Sequence, residues 1–219
     1  MRIPIHREGW LFIAIAVALN AALVLLFGRW GWLFLPVMVW TVAFFRDPER
    51  NADAAENQLI CPADGVLLPI VNTEPPPELG LGLEKRARLS IFMNVFNVHV
   101  NRMPCNGTVT ALAYRPGKFF NASFDKASVH NERMGIRIRP DNDLGGDVAV
   151  VQIAGLIARR IVCDLKEGDR VWRGNRFGII RFGSRVDVYL PPGARVLANA
   201  GQSVKAGVTP LAEFPSPSA

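Results

Sequence analysis

In RFGSRVDVYLPP, Arg181 to Pro192, side chains alternate after Gly183: Ser184, Val186, Val188 and Leu190 on one side, Arg185, Asp187 and Tyr189 on the other. A period of two is the pattern of a half-buried strand with its apolar face inward. Ser184 falls on the apolar side, directly after a glycine. A hydroxyl left there without a partner costs about 1–3 kcal/mol, so this serine asks for an explanation.

Working outward, the same short β-branched runs recur, punctuated by Gly, Pro, Asn and Asp. The expected strands are Gly65–Val71, Arg88–Met93, Thr108–Tyr114, Gly135–Arg139, Asp147–Ile153, Ile161–Asp164, Arg176–Arg181 and Ser184–Leu190. Between the first two, Asn72 to Arg86 (NTEPPPELGLGLEKR) reads as a long mobile surface loop. PADGV from Pro62 and PCNGTV from Pro104 look like two copies of one Pro-turn-strand unit, and a G-x-x-V pattern recurs in EGDRVWRG and AGQSVKAG. The expected fold is α+β and predominantly β: a compact β-sandwich or barrel-like domain over 51–219, preceded by an N-terminal hydrophobic helical hairpin over 1–50.

The hairpin follows from charge and hydropathy. From Trp10 to Phe45 the only charged residue is Arg29, which with Gly28 and Gly31 splits an 18-residue apolar run from a shorter one containing Pro36. The first run is just long enough to cross a hydrocarbon core; the second is short, so two crossings and a re-entrant hairpin both fit. Trp10, Trp30, Trp32 and Trp40 lie at run ends or at the break, as interfacial tryptophans do. No small-residue cleavage site follows the first run, which argues against a secretory signal. Arg2 and Arg7 precede the runs and Arg46 and Arg50 follow them, which puts both ends, and the remaining chain, at the cytoplasmic face of the cell membrane.

Composition narrows the partners. The chain carries a net charge of +6, with twenty arginines against five lysines. Such an excess suits an anionic partner. The basic residues are scattered and show no nucleic-acid-binding signature, so an anionic membrane surface is expected and nucleic acid is not. Cys61, Cys105 and Cys163 are far apart and odd in number, and with His6, His99 and His130 as the only histidines no metal site is expected.

Three small motifs are ordinary one at a time. Asp64 lies in PADG, a turn in which a structural role is the simpler reading. If Asn94–Val100 is extended, Asn97, His99 and Asn101 form a polar face on which a histidine is usually solvated. Gly183-Ser184 has the look of a hairpin turn, and Phe182 and Val186 exclude the G-x-S-x-G elbow of hydrolases.

Together they are more specific. FFRDPER at Phe44, CPADG at Cys61, FNVHVNRMPCNG at Phe96, HNER at His130 and RFGS at Arg181 occur in an order and spacing that resembles the phosphatidylserine decarboxylases, the short membrane-associated form above all, over essentially the whole chain. The resemblance implies a lyase made as a zymogen. Its chain is cut autocatalytically between Gly183 and Ser184 into 1–183 and 184–219, and Ser184 becomes a covalent pyruvoyl cofactor. That group forms a Schiff base with phosphatidylserine, which leaves as phosphatidylethanolamine and CO2.

Glycine before the serine permits the close approach that attack of the hydroxyl on the preceding carbonyl requires. A general base oriented by a carboxylate is the usual activator, so the resemblance makes His99, with Asp64, the expected pair beside Gly183 and Ser184. Long bacterial relatives have H-x-x-H before M-P; here His99 keeps the first position and Arg102 replaces the second. His99 therefore serves both self-cleavage and reprotonation, or a group such as His130 takes one role. Arg102, Arg115, Arg133 and Arg137 are unranked as ligands for the lipid's acidic groups. The two fragments are expected to stay together; whether copies of the chain form a homo-oligomer is left open. Two other readings stand beside this one: a non-catalytic membrane-anchored β-module, and a decarboxylase of another serine-bearing lipid.

Overall fold

The computed structural model describes residues 4–117, 131–141, 145–155, 160–181 and 184–214. The chain divides into two compact units, Met1–Glu49 with Phe96–Val98, and Arg50–Val95 with His99–Ala219.

In the first unit, Trp10–Phe27 forms helix α1, free of Pro and Gly, and ends at Gly28, whose φ of 56° breaks the helical repeat. A 3-10 stretch, Gly28–Phe34, leads into α2, Leu35–Phe44, with Pro36 in its first turn, where a missing N–H costs nothing. The apolar helical segment Arg7–Phe44 is long enough to cross a membrane. Straight, its 38 residues would span about 57 Å. Instead Ile5 bridges Arg46, the His6 amide donates to Phe45 O (2.9 Å), and the Phe12 and Phe45 rings stack at 5.3 Å. The segment is a hairpin. At its bend Gly31 packs against α1 so closely that a Cβ would lie 2.3 Å from Val24 N, and buried Asn20 donates to Gly31 O (3.4 Å). Trp10, Leu11, Leu25, Leu26, Trp30 and Leu33 all point outward and exposed. So much contiguous apolar surface marks membrane association.

The second unit is β. Its strands are β1 (Gln58–Ile60), β2 (Gly65–Leu67), β3 (Val71–Thr73), β4 (Arg86–Met93), β5 (Val100–Arg102), β6 (Gly107–Arg115), β7 (Arg133–Pro140), β8 (Val148–Ala154), β9 (Ile161–Cys163), β10 (Arg170–Val171), β11 (Arg176–Ile180), β12 (Ser184–Tyr189), β13 (Arg195–Val196), β14 (Ser203–Val204) and β15 (Pro210–Glu213). They make a nine-stranded sheet, β10-β6-β7-β8-β12-β4-β2-β14 with β3 beside β4, and two three-stranded sheets, β1-β15-β13 and β5-β11-β9. Among the described residues the sheets stay open and no barrel closes.

The strand orders are two copies of one pattern. In the large sheet, β10-β6-β7-β8 matches β14-β2-β4-β12, and β5-β11-β9 matches β1-β15-β13. Backbone bonds repeat in pairs: Arg102 N to Pro62 O (2.9 Å) with Ile60 N to Pro104 O (3.0 Å), and Gly174 N to Met103 O with Gly207 N to Cys61 O, both 2.8 Å. The Pro-turn-strand copies seen in the sequence are the matched β2 and β6 entries. Their glycines, Gly65 and Gly107, let the backbones close up, since a Cβ would lie 2.1 Å from Phe92 O and 2.3 Å from Arg139 O. One half, β5 to β11, is thus inserted within the other, between β4 and β12. The chain passes from one half to the other between β4 and β5, and back between β11 and β12.

The expected strands are present with shifted ends, save that Gly65–Val71 breaks after Leu67 into β2 and β3, and β12 is their centre. It pairs with β4 and β8 along its whole length. Val186, Val188 and Leu190 enter the main core with Leu89, Ile91 and Val150. The expectation of a half-buried strand is corrected: Arg185, Asp187 and Tyr189 are buried too. Arg185 and Asp187 make a two-pronged ion pair (2.6 and 2.7 Å), so neither charge faces the interior alone. The cover on that side comes from the stretch expected to be a mobile loop. Its first residues form β3, Pro77–Leu79 makes a 3-10 turn, and Leu79 and Leu81 pack on Ala149, Val151, Ile153 and Tyr189.

Candidate active site

Ser184 opens β12, opposite Met93 on β4 and Ala154 on β8. It is completely buried, and its Oγ has no hydrogen-bond partner among the described residues. Keeping a hydroxyl so costs about 1–3 kcal/mol, and folding alone does not require it. The residue before it, Gly183, and His130 lie outside the described residues.

His99 lies at the other crossing of the chain. Asn94–Val100 is not extended throughout: it turns around Val95–Asn97, and the strand begins at Val100. The polar face expected to be solvated is not. His99 and Asn101 are both 0% exposed; β11 pairs with β5 beside them, and the Ile180 amide donates to His99 O (3.4 Å). Ile180 ends β11, and Ser184 begins the next strand, β12. His99 is thus bonded to β11, the strand that precedes β12 in the chain.

Asp64 sits in the turn joining β1 to β2, and Pro62 of that turn accepts from Arg102 at the end of β5. Its carboxylate takes both prongs of the Arg50 guanidinium, Oδ2 at 2.7 Å, and Oδ1 also accepts the Ala206 amide at 2.8 Å. The matching residue of the other half is Asn106, whose Oδ1 accepts the Arg173 amide at the same 2.8 Å. The backbone bond is thus a feature of the repeated turn, whereas the charge and its Arg50 partner are peculiar to Asp64. In the sequence Arg50 stands out only as a charge flanking the apolar runs.

Sequence reasoning also missed the amides around Ser184. Gln152 Nε2 donates to Asn101 Oδ1 (2.9 Å), Asn101 Nδ2 approaches Met93 Sδ (3.9 Å), and Asn131 Nδ2 donates to Ala154 O (2.7 Å). A glutamine inside the apolar run VAVVQIA was the available clue. Among the unranked arginines, Arg102 donates to Gly174 O (2.9 Å), Arg133 pairs with Glu78 and Arg137 with Asp147. None of the cysteines is disulfide-bonded. Burial pushes the Cys61 and Cys105 thiols up to about 12, which excludes them as nucleophiles at neutral pH.

The chain is a membrane-associating β protein with a serine kept buried and, among the described residues, unbonded at the start of its central strand. The family model of phosphatidylserine decarboxylase matches residues 37–212. The chain is 53% identical over 213 residues to a phosphatidylserine decarboxylase proenzyme of Cereibacter sphaeroides, covering 97% of this chain and 91% of that one. It is 52% identical to that of Paramagnetospirillum magneticum (97% and 88% covered) and 50% identical to that of Rickettsia felis (96% and 90%). The chain belongs to the phosphatidylserine decarboxylase family.

Proposed function

We propose that this chain is a proenzyme that decarboxylates phosphatidylserine to phosphatidylethanolamine and CO2, with Ser184 as the precursor of its pyruvoyl group and His99, supported by Asp64, as its proton carrier. The observation that carries the assignment to Ser184 is its buried Oγ, unbonded among the described residues. A hydroxyl held ready for attack has that character; Ser90 Oγ shares it, but lies inside β4 rather than at the start of a strand after a glycine.

In processing, His99 takes the Ser184 hydroxyl proton while Oγ attacks the Gly183 carbonyl carbon, and the Ser184 nitrogen leaves to give an ester. Loss of the Ser184 α-proton then expels the Gly183 carboxylate, and water replaces the freed nitrogen, which departs as ammonia. Residues 1–183 end in a carboxylate and residues 184–219 begin with a ketone. The group at residue 184 supplies the electrophilic carbonyl that accepts the electron pair left when the serine headgroup loses CO2. In turnover the same imidazole returns a proton to the headgroup carbon, so His99 serves both steps. Asp64 holds the imidazole in the tautomer that accepts from Ser184 and stabilises it once charged.

The two fragments stay associated, because β12 is bonded along both edges and β14 and β15 pair with β2 and β1. The hairpin rests in the membrane with both ends at the cytoplasmic face, and the net positive charge favours an anionic surface. Intact mass of His99→Ala tests the assignment: it should remain a full-length chain, and efficient cutting would refute the role of His99.

A further inference from the structure

Gln152 is fully buried in the middle of β8, between Val151 and Ile153. Its Nε2 is taken by Asn101 Oδ1, but its Oε1 accepts from no described residue. A carboxamide oxygen held from water in this way is costly unless something supplies a donor.

Register shows what it faces. Gln152 stands opposite Val186 and Ala154 opposite Ser184. Residues two apart share a face, so Gln152 and Ser184 are diagonal neighbours, about 7–8 Å apart at the backbone. On the other flank of β12, Met93 stands opposite Ser184, and it is Met93 Sδ that Asn101 Nδ2 approaches. Asn101 thus spans β12 from one flanking strand to the other, on the face that carries Ser184. By receiving Gln152 Nε2, it fixes the carboxamide with its oxygen as the open end.

An open acceptor repels the carboxylate and phosphate of a phosphoserine headgroup, which present oxygens. It suits the headgroup's amino group, which presents N–H. We propose that Gln152 Oε1 accepts a hydrogen bond from the amino group of the lipid substrate, holding that nitrogen toward residue 184, with Asn101 as the positioning residue behind it. The inference rests on the phosphatidylserine decarboxylase reading above.

The test uses the full chain in detergent micelles and two variants. Gln152→Met keeps the volume and removes the acceptor; Gln152→Glu keeps an acceptor. Both should be cut into 1–183 and 184–219 like the unaltered chain, as intact mass will show. With phosphatidylserine as substrate, Gln152→Met should raise KM about tenfold or more, the loss expected for a hydrogen bond to a charged group, with a smaller change in kcat. Borohydride trapping of the lipid amine on the 184–219 fragment, at subsaturating lipid, should fall by a similar factor, while Gln152→Glu, which keeps an acceptor but not the donor to Asn101, should lose clearly less in both. Unchanged KM and trapping in Gln152→Met, or equal losses in both variants, would overturn the assignment. So would a Gln152→Met chain that remains uncut, which would put Gln152 in processing. An unaltered chain that is never cut, or ignores phosphatidylserine, would sink the underlying reading instead.

Discussion

Asp64 has two roles that one pair of substitutions separates. Its Oδ1 holds the Ala206 amide, a bond that Asn106 makes equally well in the matching half, while its charge serves Arg50 and, in the proposal, His99. In a Ser184→Ala background every chain is whole, so unfolding is unimolecular and stabilities compare directly. There Asp64→Asn keeps the turn bond but removes the counter-charge and the Oδ2 acceptor of Arg50, whose side chain is 11% exposed and also donates to Ala206 O (2.7 Å). Breaking a buried pair by removing one partner costs about 3–5 kcal/mol. Asp64→Ala also strands the Ala206 amide, for about 1–3 kcal/mol more. Urea unfolding in detergent, followed by circular dichroism, should therefore rank Asp64→Ala below Asp64→Asn by that last amount. With Ser184 restored, both should fail to cut. An Asp64→Asn chain that folds and is cut at the normal rate would show that His99 needs no carboxylate.

Three further outcomes follow from particular contacts. Burial, the main cause, raises Cys61, Cys105 and Tyr189 to about 12. The native state keeps protons that the unfolded chain gives up from about pH 9 for the thiols, so stability is intact below that and falls as pH rises toward 12. Urea midpoints at pH 8 and 10.5 should show the fall, and Cys61→Ala with Cys105→Ala should lessen it; an equal fall in the double variant would refute the cause. Phe96 is 71% exposed in a loop that Arg46 ties to the hairpin unit through Phe96 O (2.7 Å). If that ring is buried in lipid, Phe96→Asp loses about 1.5–3 kcal/mol, and co-sedimentation with anionic vesicles should weaken about tenfold or more while cutting continues; unchanged binding would refute it. Gly65→Ala and Gly107→Ala should each destabilise by about 1–3 kcal/mol and by similar amounts, because each Cβ meets a carbonyl oxygen in the matched place; a neutral result at either would break the equivalence of the halves.

Much of this was legible in the sequence because it rests on local pattern. The alternation in Ser184–Leu190, the Gly28-Gly31 break between apolar runs and the repeated Pro-turn-glycine entries are each written in a few adjacent residues. What was hidden depends on pairing across distance. Strands β10, β13 and β14 are two residues long and too short to show a period. Arg185 and Asp187 read as solvent-facing because nothing local reveals that they neutralise each other or that Leu79 covers them. His99 read as solvated for the same reason: its burial depends on parts of the chain distant in sequence, and even the strand that pairs beside it, β11, is far along the chain. Asp64 was found through its motif, but Arg50 and the amide pair of Asn101 and Gln152 belong to no local pattern.

The central claim is that residue 184 is a serine only until the chain matures. Intact mass of the purified full-length protein tests it most directly. The account predicts two chains, 1–183 and 184–219, the smaller with 36 residues and a ketone in place of its N-terminal amine. A single unbroken chain that still turns over phosphatidylserine would contradict it.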